Sequence, residues 1–133
     1  MRFVLDAPVT ITWAMRDEDH PLADLAFNQL GSGSAIVPAI WWYELRNILV
    51  LNERRGRIAP EDSILFLHSL DQLKIEIAPL ENGMEMMAIS RKYRLSIYDA
   101  AYIELAQRNY LPLATHDKVL EAAARSAGIP LLA

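Results

Sequence analysis

The segment Arg2-Phe3-Val4-Leu5-Asp6-Ala7-Pro8 decides the fold of this chain. Its three bulky apolar residues are too few for a helix and are typical of a short strand buried on both faces. Asp6 ends the apolar run, and Pro8 suits the first turn of a helix, where its missing N–H has no partner to lose. We therefore predict a buried strand that is followed at once by a helix.

The same order of strand and helix continues along the rest of the chain. Further strands are predicted at 35–37, 74–78, 113–115 and 129–132. Helices are predicted at 9–15, from an opening at 17–21, at 39–54, from an opening at 60–62, and at 80–92, 97–108 and 118–127. This alternation indicates a parallel sheet covered by helices on both faces. We predict one α/β domain over residues 1–133, a three-layer sandwich with a central, mostly parallel sheet of about five strands.

The composition limits the class of protein. The chain has 133 residues, 53% of them hydrophobic, which is enough for one domain with a sizeable core. No apolar run approaches the roughly 20 residues that cross a bilayer, and we see no signal peptide. The absence of cysteine excludes disulfides and thiolate metal sites. We expect a cytoplasmic protein without membrane partners, and its net charge of −4 does not by itself attract nucleic acid.

Four acidic residues lie in apolar surroundings, where an uncompensated carboxylate costs on the order of several kcal/mol. Asp6 and Asp117 directly follow predicted strands. Glu44 and Asp99 lie in the first turn or two of helices that begin at the same edge of the sheet, and helical spacing turns both inward. Because ligands of such sheets bind beyond the carboxyl ends of the strands, we expect the four side chains to meet in one cleft.

A shared divalent cation is the simplest counter-charge for these carboxylates, which would otherwise repel one another. Hard oxygen ligands favour Mg²⁺ or Mn²⁺ over Zn²⁺. Each residue also has a simpler interpretation: Asp6 and Asp117 can cap the helices that follow, and the helix dipole favours Asp99 in a first turn. Glu44 is harder to explain, because a glutamate on the helix surface should not lie on an apolar stripe.

Short motifs along the chain resemble those of a PIN domain. They are Phe3-Val4-Leu5-Asp6-Ala7, Val37-Pro38-Ala39 with Glu44 and Asn47, Tyr98-Asp99-Ala100-Ala101-Tyr102, and Leu113-Ala114-Thr115-His116-Asp117. The resemblance covers nearly the whole length and is greatest to the compact toxins of VapBC-type toxin–antitoxin pairs, which are Mg²⁺-dependent ribonucleases. It implies that the catalytic and metal-binding residues are Asp6, Glu44, Asp99 and Asp117, supported by the Thr115 hydroxyl and by Asn47 beside the site.

The resemblance further implies an endoribonuclease that depends on Mg²⁺ or Mn²⁺ and acts as the toxin of a type II toxin–antitoxin pair. Its partners would be an RNA substrate, a cognate antitoxin and a second copy of the chain. We expect Asp6 and Asp99 to bind the metal most directly, and Glu44 and Asp117 to be further or water-mediated ligands of an ion that activates water. Pro8 departs from the family pattern, which usually has a small hydroxyl residue there.

Other segments allow two interpretations each. The basic run Arg54-Arg55-Gly56-Arg57 can stabilise a helix C-terminus or contact RNA phosphates. The aromatics Trp41-Trp42-Tyr43 cannot all face one core, so at least one should contact a base or another protein, and we favour protein contact. His20, His68 and His116 are too scattered to predict a metal set.

Competing functions lack the residues that they need. A phosphatase of the haloacid dehalogenase type begins with a strand and Asp-x-Asp-x-Thr, whereas the segment from Asp6 to Thr10 lacks the second aspartate. A phospho-receiver domain would need an acidic pair after the first strand and a lysine after a late one, and a Gly-rich nucleotide loop is absent too. The remaining alternative is a catalytically inert PIN-like binding module, against which the four intact acidic residues argue.

Overall fold

The computed structural model describes residues 1–15 and 20–133, and these form alternating strands and helices. The elements are β1 (Arg2–Leu5), α1 (Ala7–Thr12), α2 (Pro21–Gln29), β2 (Ser34–Val37), α3 (Ala39–Arg54), α4 (Pro60–Leu70), β3 (Ile75–Ile77), α5 (Gly83–Tyr93), α6 (Ile97–Asn109), β4 (Leu113–Ala114) and α7 (Lys118–Ser126). The predicted opening of α2 at 17–19 lies outside the described residues. No helix within the described ranges is long and apolar enough to cross a membrane.

The described strands form one sheet in the order β3-β2-β1-β4, and all three strand pairs are parallel. β1 lies inside this sheet, and its residues Phe3, Val4 and Leu5 are fully buried. A strand covered on both faces reads as a continuous apolar run, which is the pattern that predicted β1 from the sequence. The predicted α/β fold is therefore confirmed.

The order of the strands reverses beside β1. Two connections run outward from β1 through β2 to β3, and the third returns past all of them to β4. Because such connections are right-handed, α1 to α4 lie on one face of the sheet, and α5 and α6 lie on the other. The contacts agree, since α1 packs on α2 and α3, whereas α5 packs on α6 and α6 on β1. Asp6 and Asp117 follow the two strands that flank this reversal, where ligands of open α/β sheets bind.

Capping side chains determine where α1 and α5 begin. Asp6 Oδ1 accepts a hydrogen bond of 2.8 Å from the Val9 N–H, so α1 begins at residue 7 rather than at the predicted residue 9. Asn82 accepts a bond of 3.1 Å from the Glu85 N–H, so α5 begins at residue 83 rather than at 80. Both boundaries follow from local hydrogen bonds, because an Asp or Asn side chain satisfies an amide that has no partner within the helix.

The predicted helix at 9–15 is α-helical only as far as Thr12. Beyond it the Met15 N–H donates to the carbonyl of Thr12 at 3.2 Å, an i→i−3 bond that is typical of a tighter 3₁₀ turn. The Trp13 ring N–H donates to the Ala23 carbonyl at 2.9 Å, which ties this turn to α2.

The fifth strand predicted at 129–132 is wrong. Leu131 makes only an isolated parallel bridge with Leu113, and the Leu113 N–H donates to the Pro130 carbonyl at 2.9 Å. Pro130 has no N–H with which to extend a ladder, and β4 itself has only two residues. The sheet of the described residues therefore has four strands rather than about five.

Gly33 allows the chain before β2 to pass close to the start of β1. The Gly33 N–H donates to the Gln29 carbonyl at 2.8 Å, and the next residue, Ser34, donates to the Met1 carbonyl at 3.1 Å. A Cβ on Gly33 would collide with the Met1 carbonyl oxygen and lie 3.0 Å from that of Gln29. Both obstacles are backbone atoms, which cannot rotate away as a side chain could.

Gly33→Ala should therefore lower the free energy of unfolding by about 2 kcal/mol, or roughly 6 °C in Tm, as measured by thermal unfolding with circular dichroism. Gly83→Ala is the matched control, because a Cβ there meets nothing within 4 Å and alanine favours the helix that begins at this residue. A Gly33→Ala protein as stable as the Gly83→Ala protein would contradict this account.

Candidate functional site

Asp6 is the most buried of the four predicted acidic residues, with only 3% of its surface exposed. Its N–H donates to the Ala114 carbonyl at 3.2 Å, which fixes the end of β1 against β4. Burial raises the pKa of its carboxyl to about 7, although hydrogen bonds from the Thr115 hydroxyl and the Val9 N–H oppose the rise. The nearby carboxylates of Glu44 and Asp117 add to it.

Glu44 lies half-buried in the second turn of α3 and is bound from the opposite helical layer. The hydroxyl of Tyr102, on α6, donates to Glu44 Oε1 at 2.6 Å. Burial raises the pKa of the Glu44 carboxyl, the bond from Tyr102 lowers it, and the charge of Asp99 raises it again. Glu44 is therefore held against α6, where Asp99 lies.

Asp99 and Asp117 complete the set of acidic residues at the starts of α6 and α7. The Asp99 N–H donates to Ser96, the cap of α6, at 3.1 Å. Burial raises the pKa of the half-buried Asp99 carboxyl, and the charge of Asp117 raises it further. Asp117 is exposed and caps α7, because its Oδ1 accepts the Leu120 N–H at 3.0 Å.

The four carboxylates lie near enough to one another for their charges to interact in pairs. The interacting pairs are Asp6 with Glu44, Glu44 with Asp99, Asp99 with Asp117, and Asp117 with Asp6. In the part of the chain that the structure describes, no three Asp, Glu or His side chains form a group that could hold a metal ion as it stands. The donors are all carboxylate oxygens, and burial and the neighbouring charges raise the pKa values of Asp6, Glu44 and Asp99. Both properties suit a hard divalent cation.

The two capping interpretations are correct as well, because Asp6 and Asp117 each accept a helix N–H. Capping and convergence coincide because α1 and α7 begin where β1 and β4 end. The same position that gives an aspartate its helix amide also places it at the carboxyl edge of the sheet.

The two predicted supporting residues differ in their surroundings. Thr115 is buried directly after β4 and contacts two of the acidic residues. Its hydroxyl hydrogen-bonds the Asp6 carboxylate and accepts the Asp117 N–H at 3.1 Å. Asn47 is exposed on α3, one turn beyond Glu44.

The predicted RNA-binding arginines are not brought to the carboxylates. Arg54 is the last residue of α3 and Arg55 its cap, which places them about 15 Å along the helix axis from Glu44. Arg57 donates to the Asn52 side chain at 3.2 Å. Their placement suits favourable charge at a helix C-terminus, and RNA binding by this run stays a prediction.

Tyr102 is not among the predicted site residues, although it contacts one of them. It lies three residues after Asp99, so both are on one side of α6. That spacing was a usable signal for its proximity to the site. Its partner, Glu44, could not be identified from the sequence, because the two residues are 58 positions apart.

Of the three adjacent aromatics, Trp41 is buried, whereas Trp42 and Tyr43 are 40% and 65% exposed. This confirms that they do not all face one core. The Trp41 ring N–H donates to the Thr10 hydroxyl at 3.0 Å, and that hydroxyl donates to the Asp6 carbonyl at 2.8 Å. Trp41 thus connects α3 to the backbone of Asp6.

Two of the three histidines also meet, which the sequence did not indicate. The rings of His20 and His116 lie 4.6 Å apart between centroids, with a tilt of 40°. His116 directly precedes Asp117, so this pair borders the group of carboxylates, whereas His68 lies on α4.

Asp6→Asn should stabilise the metal-free protein at neutral and alkaline pH. The carboxyl ionises at about pH 7 in the folded protein against 3.8 without the fold, so ionisation removes stability as the pH rises between these values. Asparagine cannot ionise, and its side-chain oxygen can still accept the hydrogen bond from the Val9 N–H. At about 1.4 kcal/mol per pKa unit, we expect a gain on the order of 10 °C in Tm at pH 8 with EDTA, shrinking towards zero at pH 4.

Thermal unfolding across this pH range measures the effect. Asp24→Asn, at an exposed position in α2, is the matched control and should give no such gain. A Tm difference for Asp6→Asn that does not change with pH would show that burial of the charge is not its cause.

The family model described as PIN domain matches residues 3–126. No curated protein matches the chain in sequence.

Among solved structures, PAE2754 from Pyrobaculum aerophilum has a TM-score of 0.73 and 21% identity, with 92% of this chain and 84% of that chain covered. A toxin–antitoxin complex from Klebsiella pneumoniae has a TM-score of 0.63 and 17% identity, with 86% of each chain covered. FitAcB from Neisseria gonorrhoeae has a TM-score of 0.62 and 17% identity, with 100% and 97% covered. At these identities the solved structures show the fold, and the family model, which spans most of the sequence, shows that this chain belongs to the PIN domain family.

Proposed function

We propose that this chain is a Mg²⁺- or Mn²⁺-dependent endoribonuclease that acts as the toxin of a type II toxin–antitoxin pair. The observation that carries the proposal is the convergence of four carboxylates at the reversal of strand order. PIN domains are generally nucleases, which supports the hydrolysis of a phosphodiester. The toxin role is supported by the similar fold of a protein in a toxin–antitoxin complex from Klebsiella pneumoniae.

Asp6 and Asp99 would hold the cation most directly, and Glu44 and Asp117 would complete its shell directly or through water. A bound cation would relieve the repulsion that raises the pKa of the buried carboxyls, so metal binding would be coupled to loss of their protons. Asp6, Glu44 and Asp117 are each oriented by a hydrogen bond, from the Val9 N–H, the Tyr102 hydroxyl and the Leu120 N–H respectively, and Asp99 lies half-buried beside them.

A bound divalent ion would lower the pKa of a water molecule and neutralise charge that develops on the phosphodiester. The proposed metal site is closed to solvent on one side and open to it on the other. Asp6 and Thr115 are buried among packed strands and keep solvent from the floor of the site, whereas Asp117 is exposed at its mouth. An RNA strand would therefore approach past Asp117 rather than through the sheet.

The partners that we propose besides RNA are a second copy of the chain and an antitoxin. The exposed Trp42 ring contacts Tyr43 edge-on, with ring centroids 5.0 Å apart, and the Arg46 guanidinium lies 3.8 Å above the Trp42 ring. Aromatic and arginine side chains at the surface are enriched in protein interfaces, and Trp42 and Tyr43 are exposed while Arg46 is half-buried. We therefore assign the aromatic patch of Trp42, Tyr43 and Arg46 to protein contact.

Asp6→Asn and Asp99→Asn should each reduce cleavage of single-stranded RNA by more than about 100-fold while leaving the circular dichroism spectrum unchanged. Both variants remove a charged oxygen ligand and keep the size of the side chain. RNA cleavage in Mg²⁺ or Mn²⁺, followed on denaturing gels, measures the effect, and Asp24→Asn should cleave as the wild type does. Full metal-dependent cleavage by either site variant would contradict the assignment.

The alternative function is an inert PIN-like binding module. Calorimetric titration with Mn²⁺ separates the two, because the proposed nuclease must bind the ion and the inert module need not. Absence of Mn²⁺ binding by the wild-type chain, together with absence of RNA cleavage, would favour the module.

Trp42→Ala should shift the chain from dimer to monomer, measured as mass by light scattering. The reason is that removal of the ring deletes the centre of the aromatic patch. Tyr110→Asn is the control, because Tyr110 is exposed at the far end of α6 and asparagine tolerates its positive φ of 56°. A Trp42→Ala protein that remains a dimer would remove the patch from the subunit contact.

A further inference from the structure

One buried hydroxyl connects the three helices at whose starts Asp6, Glu44 and Asp99 lie. We infer that Tyr102 is a positioning residue of the proposed metal site and that its hydroxyl holds Glu44 in place for the cation. The inference rests on the proposed function, and it goes beyond it by assigning a role to a residue outside the acidic set.

The contact between Tyr102 and Glu44 is short and crosses the molecule. Tyr102 is 2% exposed, and its hydroxyl lies 2.6 Å from Glu44 Oε1. A hydrogen bond from a hydroxyl to a carboxylate at this distance is among the stronger ones in proteins. Because Glu44 is only half-buried and has a flexible side chain, this bond is what selects its inward orientation over solvent.

The same hydroxyl is also bound from its other side. The backbone N–H of Ala7, at the start of α1, hydrogen-bonds the Tyr102 oxygen. Amides in the first turn of a helix have no partner within that helix, so Tyr102 satisfies one of them. The hydroxyl therefore accepts from α1 and donates to α3, while its own ring belongs to α6.

The Tyr102 hydroxyl is the donor in its contact with Glu44, because a carboxylate oxygen accepts hydrogen bonds. Burial raises the pKa of Tyr102 well above its usual range, and the neighbouring charges of Glu44 and Asp6 raise it further. The arrangement resembles the outer hydrogen bonds that orient metal ligands in general, whose loss typically weakens metal affinity by about 10- to 100-fold.

Packing alone does not require this hydroxyl. A phenylalanine would fill the same space between α6, α3 and the end of β1, so the oxygen is the part of the side chain that serves the carboxylate. Tyr102 also lies one turn beyond Asp99 on the same helix. α6 thus supplies one proposed ligand and the group that orients another.

Calorimetric titration with Mn²⁺ of four proteins tests the inference: the wild type, Tyr102→Phe, Glu44→Ala and the double variant. We expect Tyr102→Phe to weaken Mn²⁺ binding by about 10-fold or more in the wild-type background. In the Glu44→Ala background the same change should have almost no effect, because the group that the hydroxyl positions is absent. Tyr98→Phe, which removes a hydroxyl from an exposed tyrosine beside Asp99, should bind Mn²⁺ as the wild type does.

A merely structural role gives a different result. It would lower the Tm of Tyr102→Phe in EDTA while leaving the Mn²⁺ affinity unchanged, or it would weaken binding equally in both backgrounds. Either result overturns the inference, and neither affects the proposed nuclease, which fails instead if the wild-type chain neither binds Mn²⁺ nor cleaves RNA.

A second measurement needs no change at Tyr102. The hydroxyl proton of the metal-free wild type should give a downfield, slowly exchanging NMR resonance that moves upfield in Glu44→Ala. Absence of that resonance, or its persistence unchanged in Glu44→Ala, would also overturn the inference, including in the case where Tyr102→Phe fails to fold.

Discussion

The constraint on which the rest of the structure depends is the burial of a carboxylate at the end of the central strand. Asp6 follows three fully buried residues and is itself almost inaccessible. Every element around it satisfies part of this side chain or its backbone: an amide of α1, the hydroxyl of Thr115 and a carbonyl of β4. These bonds do not cancel the effect of burial and of the neighbouring acids, so the pKa of Asp6 remains at about 7. The protein interior therefore compensates the charge of this carboxylate only in part.

Hydrogen bonds from side-chain hydroxyl groups connect the elements around the Asp6 carboxylate. Thr115 connects Asp6 with the backbone of Asp117, and Tyr102 connects Glu44 with the start of α1. Thr10 connects the Asp6 carbonyl with the Trp41 ring. A hydroxyl can donate once and accept as well, so each one joins two elements that carry no opposite charges. In this way neutral hydroxyl groups help to hold the acidic residues in proximity.

Features that depend on residues close together in the sequence could be predicted, whereas the side-chain contacts between residues far apart in the sequence could not. The buried run before Asp6 and the alternation of elements predicted the parallel sheet, and the position of Asp117 after a strand predicted that it would lie near Asp6. Interactions within a few residues were predictable in type but not in boundary, as the Asn82 cap shows at α5. The bond between Tyr102 and Glu44 and the meeting of distant histidines depend on tertiary packing, which no local pattern contains. The missing fifth strand followed from Pro130, whose effect on a ladder depends on which strand lies beside it.

The direction of the helices gives the molecule an electrical polarity. α3 and α6 both begin beside carboxylates, and they end in the basic residues Arg54 with Arg55 and Arg108. Each of these two helices is therefore acidic near its start, at the carboxyl edge of the sheet, and basic at its end, within a chain whose net charge is −4. A long polyanion in solution would be turned away from the acidic edge by simple repulsion. An inorganic cation would then have to bind and neutralise the acidic edge before the polyanion could bind there.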